Sequence, residues 1–279
     1  MNKKTLFISD LDETLLNKNS VLSEYTKSIL NKLISFGVSF TVATGRTTDA
    51  AQQIMSEIKL SVPIITFNGA IVYDTTEKSY VKVYQFCADA VRSINAVLKS
   101  NGSTALMYEI KDNKLLAYYE MHEHKPISDF IEDRKTRYNS NFCLVNRLDD
   151  VSLEHIMYFT LKDKYNRIKP VYDALQIIPG INLVMVDDTS IDGYWWLEVF
   201  SADASKGKAV TYLRETYGYE KIVGFGDNYN DLPMFKSCDT RVAVKNVLDE
   251  VKNVSDFICG SNDEDGVARW IEENTLSNN

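Results

Sequence analysis

Four short stretches of the sequence carry residue types that could do chemistry together. Asp10-Leu11-Asp12-Glu13-Thr14-Leu15 sets two carboxylates two residues apart, and Thr44-Gly45-Arg46 offers a hydroxyl and a glycine amide. Ser205-Lys206-Gly207-Lys208 contributes an ammonium, and Gly226-Asp227-Asn228-Tyr229-Asn230-Asp231 adds two more carboxylates and two carboxamides. Carboxylates brought close repel one another unless a cation bridges them. Mg²⁺ suits such a cluster, because it takes oxygen ligands, is held by a few carboxylates and completes its octahedron with water and phosphate. One carboxylate can then attack phosphorus to form an aspartyl-phosphate, and a second, two residues on, can handle protons. Lys206 can pair with a phosphate as a point charge. Thr44 and the Gly45 amide can donate to it near a helix start. The chemistry this set would support is metal-assisted phosphoryl transfer, which rests on positioning and electrostatics.

Each stretch alone has a plain structural reading. Asp-x-Asp occurs in solvated turns, Thr-Gly-Arg in strand-to-helix turns with a surface arginine, Ser-Lys-Gly-Lys at helix caps, and the Asn/Asp-rich run in ordinary loops. What distinguishes them is position, each at the end of a core element. Leu6-Phe-Ile-Ser9 is an apolar run that reads as a buried parallel strand and stops at Asp10. A helix follows from Ser23, with Ile29, Leu30, Leu33 and Ile34 on one face and Gly37 as its stop. Val38–Ala43 is a second strand, a helix with Ala50, Ala51, Ile54, Met55 and Ile58 comes next, and Ile64–Phe67 is a third strand ending at Asn68-Gly69. The rhythm predicts a doubly wound, mainly parallel α/β sheet. It resumes with a helix over 205–217 and strands at 222–225, 241–244 and 257–258, interleaved with helices near 232–235, 248–254 and 267–273. In such sheets ligands bind beyond the carboxyl ends of the strands.

Between these halves the pattern changes to alternating segments, such as Lys114–Glu120 and Ile156–Leu161, mixed with helical stretches near 89–100, 126–138 and 164–176. We therefore expect a core of residues 1–83 and 199–279 with an inserted α+β domain over 84–198. Tyr194–Val199 is expected to return the chain to the core with one tryptophan buried, and His122-Glu123-His124 to lie in a solvent loop.

The chain has 279 residues and a net charge of −8, with 44% hydrophobic and 25% charged residues, so a disordered chain is excluded. Residues 86–200 hold 17 acidic and 13 basic side chains and the remainder 22 and 18, so neither part is a charged arm. An acidic protein without a basic block is a poor nucleic-acid binder. No apolar run is long enough for a membrane span, and the stretch after the basic N-terminus ends too soon, at Asp10, for a signal peptide. Cys87, Cys143, Cys238 and Cys259 are scattered and fit free thiols in a reducing cytosol. Gly224-Phe-Gly226 lacks the third glycine of a dinucleotide fingerprint, and Ala202–Ala209 lacks the first glycine and last hydroxyl of a P-loop.

The ordered set of stretches resembles the haloacid dehalogenase superfamily of phosphohydrolases, in particular the Cof-like group with a C2-type (IIB) cap. Its Asp-x-Asp-x-Thr motif is met by Asp10, Asp12 and Thr14, its strand-ending hydroxyl by Thr44, its lysine by Lys206 and its Gly-Asp-x-x-Asn-Asp motif from Gly226 to Asp231. Asn68-Gly69-Ala70 is also typical of that group. The resemblance implies a Mg²⁺-dependent phosphatase of small phosphorylated metabolites, such as sugar phosphates. In it Asp10 would be nucleophile and metal ligand. Asp12 would be acid/base, with its carbonyl on the metal, and Asp227 a further ligand. Leu11 through its amide, Thr44, Gly45, Lys206 and Asn230 would hold the phosphate, while Asp231 and Asn228 would support the metal's water shell or orient Lys206. The inserted cap would close over the core and contact the leaving group. A phosphomutase or phosphotransferase fits the same scaffold, as does a non-catalytic phospholigand regulator, although the latter has no use for Asp12. The sequence leaves the oligomeric state open.

Overall fold

The apolar run Leu6–Ser9 forms the strand Thr5–Ser9, and every residue from Leu6 to Ser9 is buried. A strand this uniformly apolar needs cover on both faces, which a parallel sheet with flanking helices provides. It lies inside a five-stranded parallel sheet, ordered Phe257–Ile258, Thr240–Ala243, Lys221–Gly226, Thr5–Ser9, Ser39–Val42. The computed structural model describes residues 4–121, 124–188 and 191–276. The chain separates into two units, 1–82 with 205–279, and 83–204.

In the first unit the chain leaves Thr5–Ser9 towards Ser39–Val42 on one side and later fills the other side through Lys221–Gly226. Thr5–Ser9 is thus where the strand order reverses, and the carboxyl ends of these three strands share one edge of the sheet. Helices are started by side-chain caps: Ser23 accepts from the Thr26 amide, Thr47 from the Ala50 amide and Ser205 from the Lys208 amide. Each such cap contributes ~1 kcal/mol. Leu6, Ile8, Ala209, Val210, Leu213, Ile222 and Phe235 belong to the core between sheet and helices.

The third strand, Ile64–Thr66, departs from the expected continuation of the parallel sheet. It meets it through one parallel bridge, Ala43 to Ile65, and turns instead into an antiparallel sheet with Ile71–Asp74 and Ser79–Val83. The cause is local. Phe67 (φ 52°), Asn68 (φ 53°) and Gly69 (φ 95°) all take positive φ and reverse the chain within three residues. A β-carbon on Gly69 would sit 2.2 Å from the Ser205 carbonyl carbon, so only glycine fits this crossing.

The second unit holds a six-stranded sheet, ordered Ile181–Asp187, Tyr194–Ser201, Ile156–Lys164, Leu106–Lys111, Lys114–Glu120, Asn141–Val145. All pairs are antiparallel except the last, which is parallel. A parallel pair requires a crossover, and the helix Lys125–Tyr138 supplies it. Helices Ala88–Ser100 and Tyr165–Leu175 contribute Val91, Ile94, Ile168 and Val171 to an apolar core with Met107, Phe159, Leu161 and Leu197. The expected α/β class with an α+β insertion is what the chain adopts.

Two details differ from expectation. The strand Tyr194–Ser201 lies wholly in the second unit, and neither tryptophan is fully buried. Trp195 packs on the apolar core, while Trp196 lies under the Lys162 ammonium at 4.5 Å and edge-on to Phe130 at 5.0 Å. Of the His122-Glu123-His124 stretch, His122 and Glu123 lie outside the described residues; His124 Nε2 is 3.2 Å from Asp163 Oδ1.

Candidate active site

Asp10 is the first residue past the strand Thr5–Ser9, and its amide still bonds to the Phe225 carbonyl at 2.9 Å, carrying the parallel pairing one step further. That places Asp10 beside the end of Lys221–Gly226, where Asp227 follows. Lys206 opens the helix Lys206–Tyr217 and is only 1% exposed. Its ammonium donates to Asp10 Oδ1 at 2.5 Å and to Asp231 Oδ1 at 2.7 Å. Burial alone would push the ammonium's pKa down, but Asp10 and Asp231 outweigh it and hold the group raised and charged.

Asp231 is fully committed. Beyond Lys206, its Oδ2 accepts the amides of Asp227 (3.0 Å) and Asn228 (3.1 Å), tying the loop into a ring. A β-carbon on Gly226 would come within 2.7 Å of the Asp231 side chain, so this close turn needs glycine. Asp227 Oδ1 accepts from the Thr14 hydroxyl at 2.7 Å, which links the first and last motifs.

Asp10, Asp227 and Asp231 are all buried, and one carboxylate oxygen from each lies within 4.8 Å of the others. Lys206 is the cation among them, so two negative charges are left over when all ionise. Burial, together with Asp231 and Asp227, pushes Asp10 well above the usual carboxylate range, against the pull of Lys206. Burial first, then Asp231, raises Asp227 to about 7. A buried set of hard oxygen donors with excess negative charge fits a divalent cation of the Mg²⁺ type. Because Asp231 already serves Lys206 and two amides, Asp10 and Asp227 are the carboxylates with oxygens to spare.

Thr44 is buried at the end of the second strand; its hydroxyl oxygen accepts the Arg46 amide at 3.1 Å, leaving the hydroxyl proton to donate elsewhere. Gly45 is packed against Asn68, whose carboxamide oxygen would lie 3.1 Å from a β-carbon there. Asn68 Oδ1 accepts from Asn230 Nδ2 at 3.4 Å, so the third-strand turn and the Asp227 loop meet. Leu11 is buried in the tight turn Leu11–Leu15, in which Glu13 takes φ 57°. Asp12 projects from that turn and is gripped by Arg46: Nε donates to Oδ2 at 2.8 Å and Nη2 to Oδ1 at 2.5 Å.

The structure therefore gathers Asp10, Asp227 and Lys206 into one buried cluster, with Asp231 as its organiser. Thr44, Gly45 and Asn230 sit on adjoining turns of the same unit. Arg46 is the residue that sequence reasoning passed over as surface. Its partner is 34 positions away, and no local pattern encodes that pairing.

An acidic cluster and a buried lysine thus lie at the switch point of an open parallel sheet, where α/β folds bind their ligands. The chain matches the haloacid dehalogenase-like hydrolases over residues 7–271 and belongs to that family, as its Cof-like motifs led us to expect. It is 29% identical over 288 residues to a Bacillus subtilis (strain 168) protein named 5-amino-6-(5-phospho-D-ribitylamino)uracil phosphatase YwtE, covering 95% of this chain and 96% of that one. YitU, of the same name and organism, is 25% identical over 275 residues, covering 97% of each. The TM0651 crystal structure from Thermotoga maritima superposes with a TM-score of 0.78 at 27% identity, covering 98% of this chain and 97% of that one. The chain is an enzyme of this kind, a phosphatase. Among the described residues no helix is long and apolar enough to cross a membrane.

Proposed function

We propose that this enzyme is a Mg²⁺-dependent phosphatase of small phosphorylated metabolites that works through an aspartyl-phosphate on Asp10. The observation that carries the reading is the buried triad of Asp10, Asp227 and Asp231 around Lys206. Asp10 and Asp227, with the Asp12 carbonyl, would hold the cation, which when bound screens the charge of phosphate and carboxylates alike. Lys206, Thr44, the Leu11 and Gly45 amides and Asn230 would hold the phosphate oxygens. Asp10 attacks phosphorus and the bond to the leaving oxygen breaks as Asp12 gives that oxygen a proton. Asp12 then takes a proton from water, whose oxygen attacks phosphorus and frees Asp10 and inorganic phosphate. Residues 83–204 would select the leaving group.

The names of the two Bacillus relatives support a phosphorylated sugar-like or polyol substrate. The four free cysteines suit a reducing cytosol. The test is a screen of sugar phosphates, polyol phosphates and the phosphoribitylaminouracil with Mg²⁺, reading free phosphate. We expect release from at least one class and loss of it with a chelator. Chelator-insensitive release, or none across the panel, would refute the reading.

A further inference from the structure

Asp12 is far less enclosed than Asp10, Lys206, Asp227 and Asp231. Its side chain is 47% exposed, and its turn, bent at Glu13 with φ 57°, does not itself fix where the carboxylate points. A half-exposed carboxylate left to itself samples several rotamers, whereas a proton donor must reach within about 3 Å of the atom it serves. Something must aim it.

We infer that Arg46 is the positioning residue for Asp12. The guanidinium meets the carboxylate on both oxygens, at 2.8 Å and 2.5 Å, in a two-bond fork that fixes direction as well as distance. Arg46 is itself anchored. Its amide bonds to the Thr44 hydroxyl at 3.1 Å, its carbonyl accepts the Phe67 amide at 3.0 Å, and Thr47 beside it caps the next helix. The fork thus ties the turn after the first strand to the end of the second. It uses one lone-pair site on each Asp12 oxygen and leaves the others open for proton transfer. As a stabilising ion pair so exposed a contact contributes little; its geometry is what a lysine's single ammonium could not reproduce.

The inference rests on the phosphatase reading above, in which Asp12 hands its proton to the leaving oxygen. That step matters for an alkyl leaving group and hardly for p-nitrophenolate, which departs unprotonated. The experiment measures kcat/KM, which reports the step that expels the leaving group, for an alkyl phosphate substrate and for p-nitrophenyl phosphate. The enzymes compared are wild type, Arg46→Ala, Arg46→Lys and Asp12→Asn, each with its Tm.

We expect Arg46→Ala to lose about 10²-fold on the alkyl phosphate and less than about 3-fold on the aryl one, within the range a positioned acid supplies. Arg46→Lys should recover little of this, guanidinium added to Arg46→Ala should recover part, and Tm should stay near wild type. Equal losses on both substrates, or none, while Asp12→Asn discriminates between them, would overturn the role of Arg46 and leave the mechanism standing. If Asp12→Asn shows no discrimination either, the proton-donor reading falls and the inference with it. Should Arg46→Ala fail to fold, Arg46→Lys carries the same comparison.

Discussion

At the scale of single residues, the site is a problem in compensating charge. Asp10, Asp227 and Asp231 are buried together, and Lys206 neutralises only one of them. This imposes a sign on pH dependence. Asp227 is raised to about 7 by burial and by Asp231, so the metal-free fold is favoured when it carries a proton. A carboxylate raised in this way contributes stability that is present below its unfolded value of about 4 and lost as pH rises through its folded value. The chelated protein should therefore melt lower at pH 8 than at pH 5.5, and Mg²⁺ should raise Tm more at pH 8, where the site no longer has to shed protons to accept the ion. Thermal melts with and without Mg²⁺ at the two pH values check this; an equal Mg²⁺ shift at both would contradict it.

At the scale of elements, strand ends and helix starts were the legible features, and chain reversals were not. The apolar runs at Leu6–Ser9 and Ile222–Phe225 and the cap at Ser205 are local signals, and each marks an element that the structure contains. The departure of Ile64–Thr66 into a separate antiparallel sheet depends on Phe67 and Asn68 holding positive φ, a conformation uncommon for a bulky residue such as Phe67 and announced by no local sequence signal. The fork between Arg46 and Asp12 joins two turns whose spacing along the chain carries no periodicity. The crossing of Gly69 and Ser205 shows what such contacts demand. Gly69→Ala meets both φ 95° and a carbonyl carbon at 2.2 Å, whereas Ser205→Ala removes only a cap bond. Denaturant unfolding should show a loss of ~1 kcal/mol for Ser205→Ala and at least ~2 kcal/mol for Gly69→Ala. Equal losses would mean that the turn relaxes freely.

At the scale of the whole molecule, the inserted segment was visible as a change of rhythm, from strand and helix in alternation to alternating apolar and polar residues. The interruption keeps the family's motif order intact: Asp10 and Thr44 precede residues 83–204, and Lys206 and Asp227 follow them. Both halves of the first unit are needed to make one sheet, because Lys221–Gly226 pairs directly with Thr5–Ser9. The net charge of −8 has no single location; in the proposed mechanism its chemical meaning lies in the buried cluster, where acidic residues would bind a cation and, through it, phosphate. In the proposed mechanism Asp10 is the nucleophile, the residue that would accept the phosphoryl group. The most direct measurement is mass spectrometry of enzyme quenched in acid during turnover of a substrate with Mg²⁺. The account predicts a phosphoryl group on the peptide that carries Asp10, absent from Asp10→Asn, which also releases no phosphate. Turnover by Asp10→Asn at the wild-type rate, or turnover by wild type with that peptide never phosphorylated, would contradict it.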